Sequence, residues 1–150
     1  MPEKETMERA QDDAREGKSP STQAGEFVRE EMHHIREGKH GAASTKQAIA
    51  IGLSKARRAG VKLRPPSSGQ SVKIEERAER DYRKGPSHTT RKPSTQRSRA
   101  TSQALKRKGH SAASQASLSR QARTSARKRG TTARHNAAMK ASRTRKRSRG

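Results

Sequence analysis

The chain has 150 residues, with 37 Lys and Arg against 14 Asp and Glu, for a formal net charge of +23. Leu, Ile, Val and Phe together number only 12, and 21 residues are Ala, so most of the chain lacks the apolar surface that would offset the entropy of ordering it. The absence of Cys excludes disulfide scaffolds, thiolate metal sites and thiol catalysis. Just two aromatics, Phe27 and Tyr82, exclude the stacking platforms of single-strand binders.

The first 37 residues hold 6 basic and 10 acidic side chains. MPEKETMERAQDD is polar and acidic, unlike a signal peptide, and no apolar run approaches the roughly 20 residues of a membrane span, so a cytoplasmic protein is expected. Met7, Ala10 and Ala14 permit a short helix between Pro2 and Gly17, within an acidic segment (1–22) expected to be largely disordered. GKSPST is a break, and Ser21 or Thr22 can cap the next helix.

Residues 23–64 read as a helical hairpin, because eight of the twelve large apolar residues fall between 27 and 63. Val28, Met32 and Ile35 stand at i, i+4, i+7 and predict a helix over 23–37, ended by Gly38. GKHGAA is a turn, and Ser44 or Thr45 caps a second helix with Ile49, Leu53 and Ala56 as its stripe and Gly60 as its stop. Glu30, Glu31, His33, His34 and Glu37 include Glu-x-x-His spacings, but one helix supplies them all, so the expectation is a solvated polar face and no metal or other cofactor.

PPSSGQS (65–71) is a linker. Ile74, Ala78 and Tyr82 predict a short helix over 72–84, capped by Ser71 and stopped at Gly85–Pro86. From Tyr82 onward there are 21 basic residues and no carboxylate, a basic tail (85–150) expected to be disordered or only transiently helical. Short Ala-rich helices around Ala116–Arg129 and Ala133–Arg147 are the exceptions expected on binding a polyanion. KHGAASTKQAIAIGLSKAR (39–57) and KGHSAASQASLSRQAR (108–123) echo each other, as a duplicated element or as chance in low-complexity text. The fold class is therefore all-α, a small hairpin with short helices between disordered ends.

The basic tail is the strongest functional signal. Lys106, Arg107, Lys108, then Arg127, Lys128, Arg129, then Arg143, Arg145, Lys146, Arg147, Arg149 form clusters suited to phosphates, with Arg outnumbering Lys 14 to 7 from Tyr82 on. In the hairpin, Lys39 and His40 flank a Gly-x-x-Gly turn beside a helix N-terminus, where backbone amides favour an anion. Such a turn also occurs in KH domains, but those need a sheet that no alternating run here predicts. Lys46 and Gln47 would lie on the outer face of a helix-turn-helix recognition helix, and Arg57 and Arg58 close that helix. No nucleophile–base set, Walker loop or buried carboxylate pair is evident, so a non-enzymatic chain is expected. Its expected partner is DNA, with RNA or the ribosome as the alternative, or a protein docking on the hairpin. No membrane partner is expected, and the hairpin stripes could serve a homo-oligomer.

FVREEMHHIREGKHGAASTKQAIAIGLSKARRAGVKL (27–63) resembles the core of an uncharacterised bacterial family whose members share KHG…STKQAIAIGLSKARRAG and often carry a loose DNA-binding or plasmid-stabilisation label. The tail is similar in style to those of bacterial linker-histone-like proteins, although richer in Arg and Ser. The resemblance implies a bacterial cytoplasmic protein and no particular mechanism; nucleoid association is expected from the DNA-binding reading of the basic tail.

Overall fold

A computed structural model describes residues 2–66, 71–85 and 94–147. Among them there are six α-helices, one 3-10 turn and no strand. Residues 1–114 form one compact unit and residues 115–150 a second.

In the first unit, α1 (Lys4–Arg15), α2 (Pro20–Arg36), α3 (Thr45–Arg58) and α4 (Val72–Lys84) pack in succession, each on the next. α1 is ordered because α2 gives it something to bury against. Ala10 and Thr6 are buried, Met7 packs beside Phe27 and Ala24, and Arg9 Nε meets Glu26 Oε2 at 2.7 Å. The acidic segment is thus a packed helix, correcting the expectation of disorder. α2 begins at Pro20 because Ser19 is the cap, its Oγ accepting from the Thr22 amide at 3.4 Å. Pro at the first helical position forfeits no hydrogen bond.

Phe27, Ala24, Ala10 and Ala56 form the core, with Leu53, Val61 and Leu63 partly buried around it. Met32 and Ile35 are buried as well, so much of the hairpin's apolar surface is covered by the chain itself. Small residues let the helices come close: a Cβ on Gly52 would stand 2.7 Å from the Val28 Cα. Where α2 ends, Gly38 takes φ +74° and turns the chain toward α3, whose first turn is capped by Ser44 Oγ accepting from the Gln47 amide at 3.2 Å.

The tail departs from the sequence expectation. α5 (Thr95–Lys106), the 3-10 turn Ser111–Ala113 and α6 (Gln115–Arg147) make residues 95–147 mostly helical. Ala, Arg, Lys and Gln are strong helix formers, and residues 115–147 contain no Pro and a single Gly. That Gly130, at φ 75° and ψ 172°, divides α6 into arms 115–129 and 131–147. These arms coincide closely with the two Ala-rich intervals expected to be helical only on binding.

Residues 105–114 are held on the hairpin. The Gly41 amide donates to the Leu105 carbonyl at 3.0 Å and the Ala42 amide to the Gly109 carbonyl at 3.2 Å. Thr45 Oγ1 donates to the Ala112 carbonyl at 2.6 Å and Arg36 Nε to the Ala113 carbonyl at 3.0 Å. Ala42, Ala112 and Ala113 are buried where these segments meet. The two echoing stretches therefore occupy matching places: each sets an Ala-Ala-Ser lead ahead of a helix, α3 or α6, and Ala42 and Thr45 of the first bond Gly109 and Ala112 of the second.

Candidate nucleic-acid interface

The Lys106–Lys108 cluster and the Gly38–Gly41 turn are brought together. Lys108 O presses on Gly41, where even a Cβ has no room, and the side chains of Lys106, Arg107 and Lys108 are exposed. Most of the backbone amides of the turn are used inside the chain. Gly38 donates to Ile35, Lys39 to His34, Gly41 to Leu105 and Ala42 to Gly109, while Ala43 donates to Gln47 Oε1 at 2.7 Å. What the turn offers an anion is therefore side-chain charge. Lys39 Nζ lies 3.1 Å from Glu37 Oε2 and 3.2 Å from Glu3 Oε1, and these carboxylates push the Lys39 ammonium up from its ordinary value.

On α3, Lys46 is exposed, whereas Gln47 is spent on the turn. Arg57 is 8 % exposed, its Nε donating to the Leu63 carbonyl at 3.1 Å and its Nη2 reaching that of Arg64, so it fastens residues 61–64 to α3. Burial lowers its pKa and Asp81 opposes the shift. Arg58 is exposed, 3.9 Å from Asp81 Oδ1, and Asp81 also accepts from Ser54 Oγ. α4 thus covers the Ser54 end of the outer face that a recognition helix would present, leaving Lys46 and Ala50 open.

The second unit is α6. It carries Arg120, Arg123, Arg127, Lys128, Arg129, Arg134, Lys140, Arg143, Arg145, Lys146 and Arg147, with no acidic residue. None of its residues is buried. At 3.6 residues per turn Arg120, Arg123 and Arg127 share a face, Lys128 stands to its side and Arg129 lies nearly opposite. Arg120, Arg134 and Arg145 each reach back to the carbonyl four residues before, and Thr124 and Thr144 do the same. Arg149 lies outside the described residues.

A different group of side chains sits where a solvated face was expected. Glu30 and Glu31 are 3 % and 0 % exposed. Lys55 Nζ, from α3, stands 2.8 Å from Glu31 Oε2 and 3.3 Å from Glu30 Oε1. His40 Nε2 is 3.1 Å from Glu31 Oε1, His34 Nε2 is 2.9 Å from Glu3 Oε1, and the Glu3 amide donates to Glu30 Oε2 at 3.1 Å. The sequence hint is Lys55 itself, a cation on a helix without acids facing one that has them. His33 and Glu37, by contrast, are exposed as expected.

The fold is thus an all-helical bundle with a separate, wholly basic helical segment. Residues 15–68 match the model of a family of unknown function, DUF6496. That span takes in α2, α3 and the turn between them, and the whole of α4, α5 and α6 lies beyond it. No curated protein and no solved structure matches the chain. Among the described residues no helix is long and apolar enough to cross a membrane.

Proposed function

We propose that this is a non-enzymatic, nucleoid-associated DNA-binding protein, in which α6 lies along the duplex and neutralises phosphates with little regard to sequence. The observation that carries the reading is α6 itself: 33 residues with 11 cations, no acid and no buried side chain. A helix whose few apolar residues form no buried face has no core to join, and its charge calls for a polyanion. At 1.5 Å per residue its arms are about 22 and 25 Å long, roughly two-thirds of a duplex turn each. A helix fits the major groove, as basic-region helices do, and guanidinium groups bind phosphate oxygens in pairs. Lys106, Arg107 and Lys108, beside Lys39, and the exposed Lys46 and Arg58 add secondary contacts from the first unit.

Full-length protein is titrated against random-sequence duplex DNA over a salt series, with structured RNA as competitor. Six to ten phosphate contacts imply a loss of about 10³–10⁵ in affinity from 50 to 200 mM salt. Steep salt dependence that RNA does not out-compete supports the reading. Stronger competition by RNA than by unlabelled duplex would transfer it to an RNA or ribosomal partner.

A further inference from the structure

We propose that Glu31, His34 and His40 hold a divalent first-row transition cation of the zinc type. One ligand atom from each lies within 4.8 Å of the others. Glu31 Oε1 and His40 Nε2 are 3.1 Å apart. Two ligands on a tetrahedral ion with bonds of about 2.1 Å stand roughly 3.4 Å apart, so this pair already has the separation of one edge.

Each ring also has a hydrogen-bond partner on the side away from Glu31. His40 Nδ1 lies 3.2 Å from the Gly41 carbonyl, which can only accept, so Nδ1 carries the proton. With Nδ1 so engaged, Nε2 is the ring nitrogen that faces Glu31 Oε1 and would take the ion. In His34, Nε2 faces Glu3 Oε1 at 2.9 Å, which leaves Nδ1, 4.0 Å from Glu30 Oε1, as the nitrogen for the ion. Glu3 and the Gly41 carbonyl are thereby the outer partners that fix the tautomers of metal-binding histidines.

Glu31 supplies the independent sign. It is fully buried, and neither of its oxygens makes a directed hydrogen bond, although Lys55 Nζ lies close enough to Oε2 to balance charge. Oε1 is left buried without a hydrogen-bond partner. Two imidazoles and one carboxylate favour zinc, cobalt or iron over magnesium and calcium, and three protein ligands leave one position for water. Because α2 gives Glu31 and His34 and the turn gives His40, the ion would pin the turn whose Gly41 and Ala42 amides hold residues 105–109.

The test uses full-length protein stripped with chelator and titrated with Co²⁺, read by visible absorption, then displaced with Zn²⁺. Saturation at one equivalent with a tetrahedral-type spectrum, and a higher thermal midpoint with Zn²⁺, are expected. His40→Gln and His34→Gln should each weaken Co²⁺ binding at least about tenfold, and Glu3→Gln by about tenfold as an outer partner. His33→Gln, an exposed neighbour, should leave it unchanged. Absence of saturable uptake by the unmodified protein overturns the proposal whatever the variants do, and the His40–Glu31 contact is then an imidazolium–carboxylate pair. Equal uptake by the unmodified and His40→Gln proteins overturns it too.

Discussion

Lys55 Nζ stands 2.8 Å from Oε2 of Glu31, a carboxylate with no solvent exposure, and this contact ties the last turn of α3 to the C-terminal half of α2. A buried charge left without its counter-ion is costly, whereas replacing the whole pair by apolar groups is often neutral. Lys55→Met should therefore lower stability by about 3–5 kcal/mol. Lys55→Met combined with Glu31→Leu should recover much of that loss, leaving the Glu30 contact of Lys55 as the residual cost. Urea unfolding of the single and double variants reads the coupling directly.

Among the glycines that sit where backbones meet are Gly52 and Gly41. A Cβ at position 52 would press on Val28, and one at position 41 would collide with the Lys108 carbonyl. Gly52→Ala should destabilise by about 1–3 kcal/mol, as overpacking does, by prising α2 from α3. Gly41→Ala should instead loosen residues 105–109 and leave the α2–α3 contact intact. Hydrogen exchange at the Ala42 amide, which donates to Gly109, distinguishes the two.

Thr45 Oγ1 and the Ala112 carbonyl make a buried hydrogen bond of 2.6 Å across 67 residues of sequence. Thr45→Val keeps the shape and leaves that carbonyl unpaired, at a cost of about 1–3 kcal/mol. Limited proteolysis should then cut faster between residues 94 and 114, while α1–α3 stay protected.

The hairpin is legible in the sequence, and the reasons are local. The stripes Val28/Met32/Ile35 and Ile49/Leu53/Ala56, the Ser44 cap and the stops at Gly38 and Gly60 are set by residues within a turn of one another. α2 begins three residues earlier than its periodicity implies, and the signal is present: Ser19 followed by Pro20 is a cap and a first helical residue. What stays hidden depends on distance. The docking of residues 105–114 rests on backbone carbonyls meeting Gly41, Thr45 and Arg36, and carbonyls carry no sequence signature. Glu30 and Glu31 read as solvated because a helical wheel cannot show that Lys55 and His40 approach from another element. The helicity of the tail is masked for a different reason. Apolar content decides whether a segment packs, while Ala, Arg, Lys and Gln decide whether it is helical.

Acid should loosen the start of α1. Glu3 bonds His34 and Lys39, and these contacts hold its carboxyl below the ordinary value of 4.5. A lowered pKa contributes stability that is present above the unfolded value and is lost as pH falls through the folded one. The contact should therefore be intact above about pH 4.5 and fade below it. Glu3→Gln removes this group's share of the pH dependence; NMR of the Glu3 amide, which donates to Glu30 Oε2, follows the change.

The most direct test of the binding account neutralises charge in α6 without shortening the chain. Arg127, Lys128 and Arg129 are changed together to Gln, which keeps helix propensity, and log Kd for duplex DNA is measured against log salt beside Lys46→Gln/Arg58→Gln. If α6 carries the phosphates, the triple variant loses about 3 units of slope, and the α3 variant loses less for each charge removed. An unchanged slope in the triple variant, or a larger loss per charge from α3, would contradict it and move the interface to the hairpin.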